Sequence, residues 1–238
     1  IHLFERDCSL QRRYQKMVEE APSPAVSAQL RAAMCDAAVT IAKQIGYENA
    51  GTVEFMLDQD QGQFYFLEMN TRIQVEHPVT EMVSGIDLVK EQFRVAAGDA
   101  LSVSQADVRL SGHAIECRIS AESPTTGFSP CPGIIREWNA PAGEGVRVDS
   151  PCYSGYFVPP QYDSLLAKLI TFGTDRNQAI HLMQEALADF VVSGIDTTIP
   201  FYRFIMNHPD YLKGDVSTSW IEKRLVKEYE RHEGHPLR

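Results

Sequence analysis

Apolar residues recur at helical spacing through Leu30, Met34, Ala38, Ile41 and Ile45, behind Ser27, which can cap a helix, and ahead of Gly46, which stops it. Two strands are predicted next, Thr52–Leu57 and Phe64–Asn70, joined by the polar turn Asp58–Gln63. A second helix is expected from about Ile86 to Ala97, ended by Gly98, and Ile1–Phe4 reads as a strand upstream. After the polar stretch Ser102–Ser111 the texture changes. His113–Ser120 alternates strictly, with Ile115, Cys117 and Ile119 on one face and Glu116 and Arg118 on the other. Short strand candidates follow between prolines and glycines: Gly133–Trp138, Gly145–Asp149, Tyr153–Val158 and Leu165–Phe172. A helix over roughly Arg176–Val192 closes on Gly194. Shorter helices are predicted near Ile199–Met206 and Ser217–Tyr229, and Arg231–Arg238 reads as a polar, frayed tail. The pattern is α+β, divides near residue 110, and holds no internal repeat.

Size and charge narrow the classes. A chain of 238 residues, 44% apolar and 23% charged, can bury one large core or two ordinary ones. A net charge of -10 argues against nonspecific nucleic-acid binding, although an anionic substrate responds to local basic groups instead. Five widely spaced cysteines without a CxxC pair predict neither a zinc site nor a disulfide framework, and fit a reducing compartment. No apolar run approaches the roughly 18 residues of a membrane helix. The first residue is Ile rather than Met, which reads as a fragment.

The candidate chemistry starts on the hairpin. If Asp58 and Phe64 are the last paired residues, Glu54 lies directly across from Glu68. Facing carboxylates repel, the more so among Val53, Phe55, Phe66 and Leu67, and a hard divalent cation is the usual remedy. Asn70 points to the same face and offers an amide oxygen. The alternative is a hairpin with both glutamates on a solvated face. Arg72, Gln74 and Glu76 continue the alternation until Pro78 stops the strand: an Arg fork suits phosphate or bicarbonate, and a desolvated Glu76 could act as a general base. A wet charged surface is the alternative for Arg12, Arg13 and Lys16 and the better reading for Arg12 and Arg13 taken alone, and Arg118 by itself reads as a structural ion pair.

Longer motifs add a family. Glu68–Pro78 (EMNTRIQVEHP) with Val79–Met82 closely resembles the signature of biotin-dependent carboxylases within the ATP-grasp superfamily. So do Glu5–Ser9, Gln15-Lys16, Val18–Pro22, Gly51–Phe55, Glu116–Ile119, Ser129–Gly133 and Tyr162–Ser164. The resemblance runs from residue 1 to about 225 and implies the C-terminal half of an ATP-grasp domain over 1–110, an antiparallel sheet with helices. A biotin carboxylase C-terminal domain over 111–226 and a polar tail over 227–238 would follow. It implies an enzyme that phosphorylates bicarbonate with ATP and transfers the resulting CO2 to N1′ of biotin on a biotin carboxyl carrier protein.

Carried over by position, Glu54, Glu68 and Asn70 would ligate Mg2+ or Mn2+. Lys16, Arg72, Gln74 and the Val75 backbone would hold bicarbonate, and Glu76 would be its base, with Lys16 and Arg72 ranked among the catalytic residues. Arg118 would bind biotin and stabilise its enolate. Gln11 and Tyr14 would meet the nucleotide, with Met56, Leu67 and Ile195 as apolar contacts to adenosine. Tyr14 departs from the family, whose bacterial members often carry His there, and the 58–63 turn holds two added residues. The family's N-terminal α/β domain and glycine-rich lid have no counterpart here, so these residues by themselves are expected to be inactive. Implied partners are the carrier protein, a carboxyltransferase and a second copy in a homodimer, with neither nucleic acid nor membrane. The implied location is cytoplasmic, or the mitochondrial matrix in a eukaryote. Competing readings are a carbamoyl-phosphate synthetase or purine-pathway ligase, against which the motifs beyond 110 argue, and a noncatalytic docking or dimerisation module.

Overall fold

The computed structural model describes residues 1–233 and resolves into two compact units that are not contiguous in sequence. The first comprises Ile1–Asp7 and Ala21–Gly112; the second comprises Cys8–Glu20 and the chain from His113 on. Packing thus takes residues 8–20 out of the first sequence segment and adds them to the sheet that follows residue 112.

In the first unit the helix Ala28–Gln44 begins where expected, because the Ser27 side chain accepts from Leu30 N–H. Gly46 behind it takes φ +63°, which only glycine adopts without strain. The strands Thr52–Asp58 and Gln63–Asn70 form an antiparallel hairpin. Its closure differs from the expected one: Asp58 pairs with Gln63, so the turn is one residue shorter. A bulge then restores the register. Phe55 faces Phe66 while Glu54 faces Glu68, leaving Leu67 as the extra residue.

The alternation does not continue past Asn70. Residues 71–76 form no strand, and Pro78, read as a strand stop, lies instead in the first turn of a helix, His77–Ser84. The next helix, Leu88–Ala96, starts behind an Asp87 cap rather than at Ile86. Ile1–Arg6 holds no strand either; the first begins at Asp7.

The second unit is built on a five-stranded sheet in the order Asp7–Arg12, Gln15–Ala21, His113–Ser120, Leu165–Gly173, Val146–Asp149. The central pair is antiparallel, with Ile119 opposite Ala167, Cys117 opposite Leu169 and Ile115 opposite Thr171. The expected apolar face is fully buried at Ile115, Cys117 and Ile119. It shares a core with Ala179, Met183 and Leu187 of the helix Arg176–Asp189 and with Phe201 and Ile205 of the helix Ile199–Asn207. Burying four isoleucine and leucine side chains of this kind contributes on the order of 6–12 kcal/mol of transfer free energy before entropy is counted.

Several boundaries shift. The predicted Arg176–Val192 helix stops at Asp189, and Val191–Ser193 pairs instead with Glu137–Asn139. The β-branched pair Val191-Val192 suits a strand better than a last helical turn. Gly133–Trp138 splits into Gly133–Ile134, which pairs with Phe157–Val158, and Glu137–Asn139. Only the end of the Tyr153–Val158 candidate is a strand. Ser217–Tyr229 becomes a wide π-turn at Ile221–Leu225 followed by the helix Val226–His232. A short helix, Pro209–Lys213, was not expected. Of the predicted frayed tail, residues 234–238 lie outside the described residues, and residues 231–232 close a helix. Among the described residues no helix is long and apolar enough to cross a membrane.

Candidate functional site

Hydrogen bonds join the acidic pair of the hairpin to the segment that follows it. The Asn70 side-chain amide donates to Glu54 Oε1 at 3.1 Å and to Glu68 Oε1 at 3.0 Å, so one amide spans the two facing carboxylates. Gln74 Nε2 donates to the same Glu54 oxygen at 2.7 Å. Donors thus converge where two like charges meet, which offsets part of their repulsion. The apolar neighbours do not desolvate the pair as expected: Phe66 and Leu67 are each 56% exposed, and Glu68 is exposed while Glu54 is half-buried.

This donor set fits a hard divalent cation. Two carboxylates and an amide that can turn its oxygen inward are oxygen ligands of the kind Mg2+ and Mn2+ take. Among the described residues no three His, Cys, Asp or Glu side chains gather into a metal cage. The set therefore suits an ion that keeps water or phosphate oxygens for its remaining positions.

The residues beyond the hairpin divide by environment. Gln74 and Glu76 are buried, and Glu76 occupies the cap position of the His77–Ser84 helix. Val75 is half-buried. Arg72 is exposed, its Nη1 donating to the Ile73 carbonyl at 3.1 Å. Met56 and Leu67 are exposed on the hairpin.

The other expected residues belong to the second unit. Lys16 lies half-buried on the strand Gln15–Ala21, and Gln11 on the strand before it. Tyr14 sits at the tip between them, 95% exposed with φ +64°. Ile195 packs beside the small apolar cluster of Ala121, Ile135, Val158 and Leu166. Arg118 makes an ion pair, as its strand position suggested, with Glu19 of the neighbouring strand: Nε reaches Glu19 Oε1 at 2.7 Å and Nη2 the same oxygen at 2.5 Å. The Arg118 carbonyl accepts from Tyr202 Oη at 2.7 Å, which ties the strand to the core helix beneath it.

Two features escaped sequence reasoning. One is Glu19, fully buried, whose place beside Arg118 depends on a strand pairing between residues about 99 apart. The other is a buried network around Glu20. His113 Nε2 lies 2.8 Å from Glu20 Oε2, and Arg176 grips both oxygens through Nε and Nη2 at 2.8 and 2.9 Å. Burial alone would raise the Glu20 carboxyl; the bonds from His113 and Arg176 and the Arg176 charge overcome it and hold the pKa down to about 2.

The comparisons agree with the resemblance in the motifs. Residues 1–104 match the family model of the carbamoyl-phosphate synthase L chain, ATP binding domain, and residues 116–223 match the biotin carboxylase C-terminal domain. Biotin carboxylase 1 of Bacillus subtilis is 55% identical over 93% of this chain and 49% of its own length. A biotin carboxylase from a Nostoc species is 56% identical over 94% of this chain and 50% of its own. The chain spans about half the length of the curated relatives it matches. Among solved structures, the biotin carboxylase domain of a thermophilic 2-oxoglutarate carboxylase bound to bicarbonate is 48% identical, with a TM-score of 0.92 over 95% of this chain and 51% of that one. A biotin carboxylase complex with β-γ-ATP from Campylobacter jejuni is 47% identical, with a TM-score of 0.91 over 94% of this chain and 50% of that one. With an ATP-binding domain followed by a biotin carboxylase C-terminal domain, the chain belongs to the biotin carboxylase family.

Proposed function

We propose that the polypeptide carrying this chain uses ATP and bicarbonate to carboxylate biotin held on a biotin carboxyl carrier protein. The observation that carries this reading is the facing pair Glu54 and Glu68, spanned by Asn70, in a chain of this family. Solved relatives are bound to bicarbonate, and one from Hydrogenobacter thermophilus is a dimer with MgADP and bicarbonate. A homodimer, a carrier protein and a carboxyltransferase are accordingly proposed as partners. The sequence segments 1–110 and 111–226 are proposed as the two inherited domains.

The chemistry assigns roles. A bicarbonate oxygen attacks the γ-phosphorus of ATP, ADP leaves, and carboxyphosphate forms; its C–O bond then breaks to give CO2 and phosphate. CO2 forms a C–N bond with N1′ of biotin, which gives up its proton. Glu54, Glu68 and Asn70 would hold Mg2+ or Mn2+, which supplies charge neutralisation for phosphate oxygens. Arg72, with its planar fork, and Gln74 hold bicarbonate along with the Val75 backbone, and buried Glu76 takes its proton. Lys16 is proposed as a further bicarbonate cation. Arg118, oriented by Glu19, stabilises the enolate oxygen of biotin. Gln11, Tyr14, Met56, Leu67 and Ile195 are the proposed nucleotide contacts.

The test is ADP release by the complete polypeptide with Mg2+, ATP and free biotin. Release should require bicarbonate and fall by about two orders of magnitude or more in Glu76→Gln. Release of the same rate without bicarbonate would exclude the reading.

A further inference from the structure

Arg6 lies outside every role assigned so far, yet its guanidinium joins three parts of the first unit. Nη1 donates to Thr80 Oγ1 at 2.9 Å, on the helix His77–Ser84. Nη2 donates to Thr52 Oγ1 at 3.1 Å, at the start of the hairpin, and to Gln74 Oε1 at 2.7 Å. The third contact fixes which end of the amide is which. A guanidinium can only donate, so the Gln74 atom that faces Arg6 must be the oxygen. The other end of that amide, which faces Glu54, must then be the NH2 group, and it donates at 2.7 Å.

We propose that Arg6 is a positioning residue for the divalent-cation site. It fixes the amide of Gln74 in one of its two orientations, and so turns the Glu54 carboxylate by a directed N–H bond. The inference rests on the reading of Glu54, Glu68 and Asn70 as cation ligands. Without the guanidinium, the Gln74 amide can rotate by half a turn and set its oxygen against the Glu54 carboxylate, an acceptor against an acceptor. Outer contacts that orient a ligand commonly tune metal affinity by about 10–100-fold. The two threonine contacts give the same arginine a purely architectural role as well, and Thr80→Val removes one of them without touching Gln74.

The experiment titrates the complete polypeptide with Mn2+ in the presence of ADP and follows the loss of the free-ion EPR signal, with melting temperature measured in parallel. Arg6→Met should weaken Mn2+ binding on the order of tenfold. Arg6→Lys, which keeps a donor toward Gln74, should recover part of that loss and carries the test if Arg6→Met does not fold. Thr80→Val should lower the melting temperature and leave Mn2+ binding within about twofold. Arg6 variants that bind Mn2+ like the wild type would overturn the proposal, as would Thr80→Val weakening Mn2+ in step with its stability. Glu68→Gln separates the two levels. Loss of binding there with none in Arg6→Met and Arg6→Lys defeats Arg6 alone, whereas binding indifferent to Glu68→Gln defeats the cation reading and this inference with it.

Discussion

Replacing Glu20 with Gln removes one negative charge from the centre of the second unit and breaks its ion pair with the guanidinium of Arg176, mostly buried over the Tyr211 ring. The size of the effect follows from the carboxyl itself. Its pKa falls from 4.5 to about 2 on folding, a difference that corresponds to about 3 kcal/mol. Because the folded value is the lower one, this contribution is fully present above pH 4.5 and is lost as pH falls through about 2. Roughly half of it is gone at pH 3. Urea unfolding of the wild type and of Glu20→Gln at pH 7, 4 and 3 isolates this contribution, since the other carboxylates cancel in the difference. The variant should be less stable by about 3 kcal/mol at pH 7 and by about half as much at pH 3. A difference that does not change with pH, or one below about 1 kcal/mol at pH 7, would refute the assignment of a charged, tightly paired Glu20.

Three further predictions are independent of that one. Ser27→Ala should cost about 1 kcal/mol by removing the bond to Leu30 N–H, read as a lower urea midpoint. The hairpin tip holds Arg13 and Tyr14 at φ +49° and +64°, so Arg13→Asn with Tyr14→Gly should stabilise by about 1–2 kcal/mol; no rise in midpoint would argue against the left-handed turn. Arg118→Lys loses the two-pronged hold on Glu19, and biotin carboxylation by the complete polypeptide should fall about 10²–10³-fold, while biotin-independent ADP release changes by less than about fivefold.

Local pattern carried the elements whose signals are local. The Ser27 cap, the stop at Gly46 and the His113–Ser120 alternation are each set by residues a few positions apart, and the structure keeps all three. The hairpin shows how a right pairing can rest on an incomplete route: Glu54 does face Glu68, but through a shorter turn and a bulge at Leu67 that no periodicity announces. The first strands, Asp7–Arg12 and Gln15–Ala21, were not legible because their turn uses Arg-Tyr where Asn-Gly would have signalled it. Pro78 was ambiguous in principle, since proline ends strands and begins helices alike. The motif was legible, and the facing of Glu54 and Glu68, on which the proposed cation site rests, also as chemistry. What surrounds it was not: Arg6, Glu19 and Glu20 find their partners across 46 to 156 residues of chain, a distance over which sequence spacing says nothing.

In the proposed reaction bicarbonate, not water, attacks ATP on the way to carboxybiotin. Supplying the complete polypeptide with ATP, Mg2+, biotin and bicarbonate labelled with oxygen-18 tests it at the atom that moves. One labelled oxygen should appear in each phosphate released, in step with carboxybiotin formed, because the attacking oxygen stays on phosphorus when the C–O bond breaks. Phosphate released without the label would contradict it.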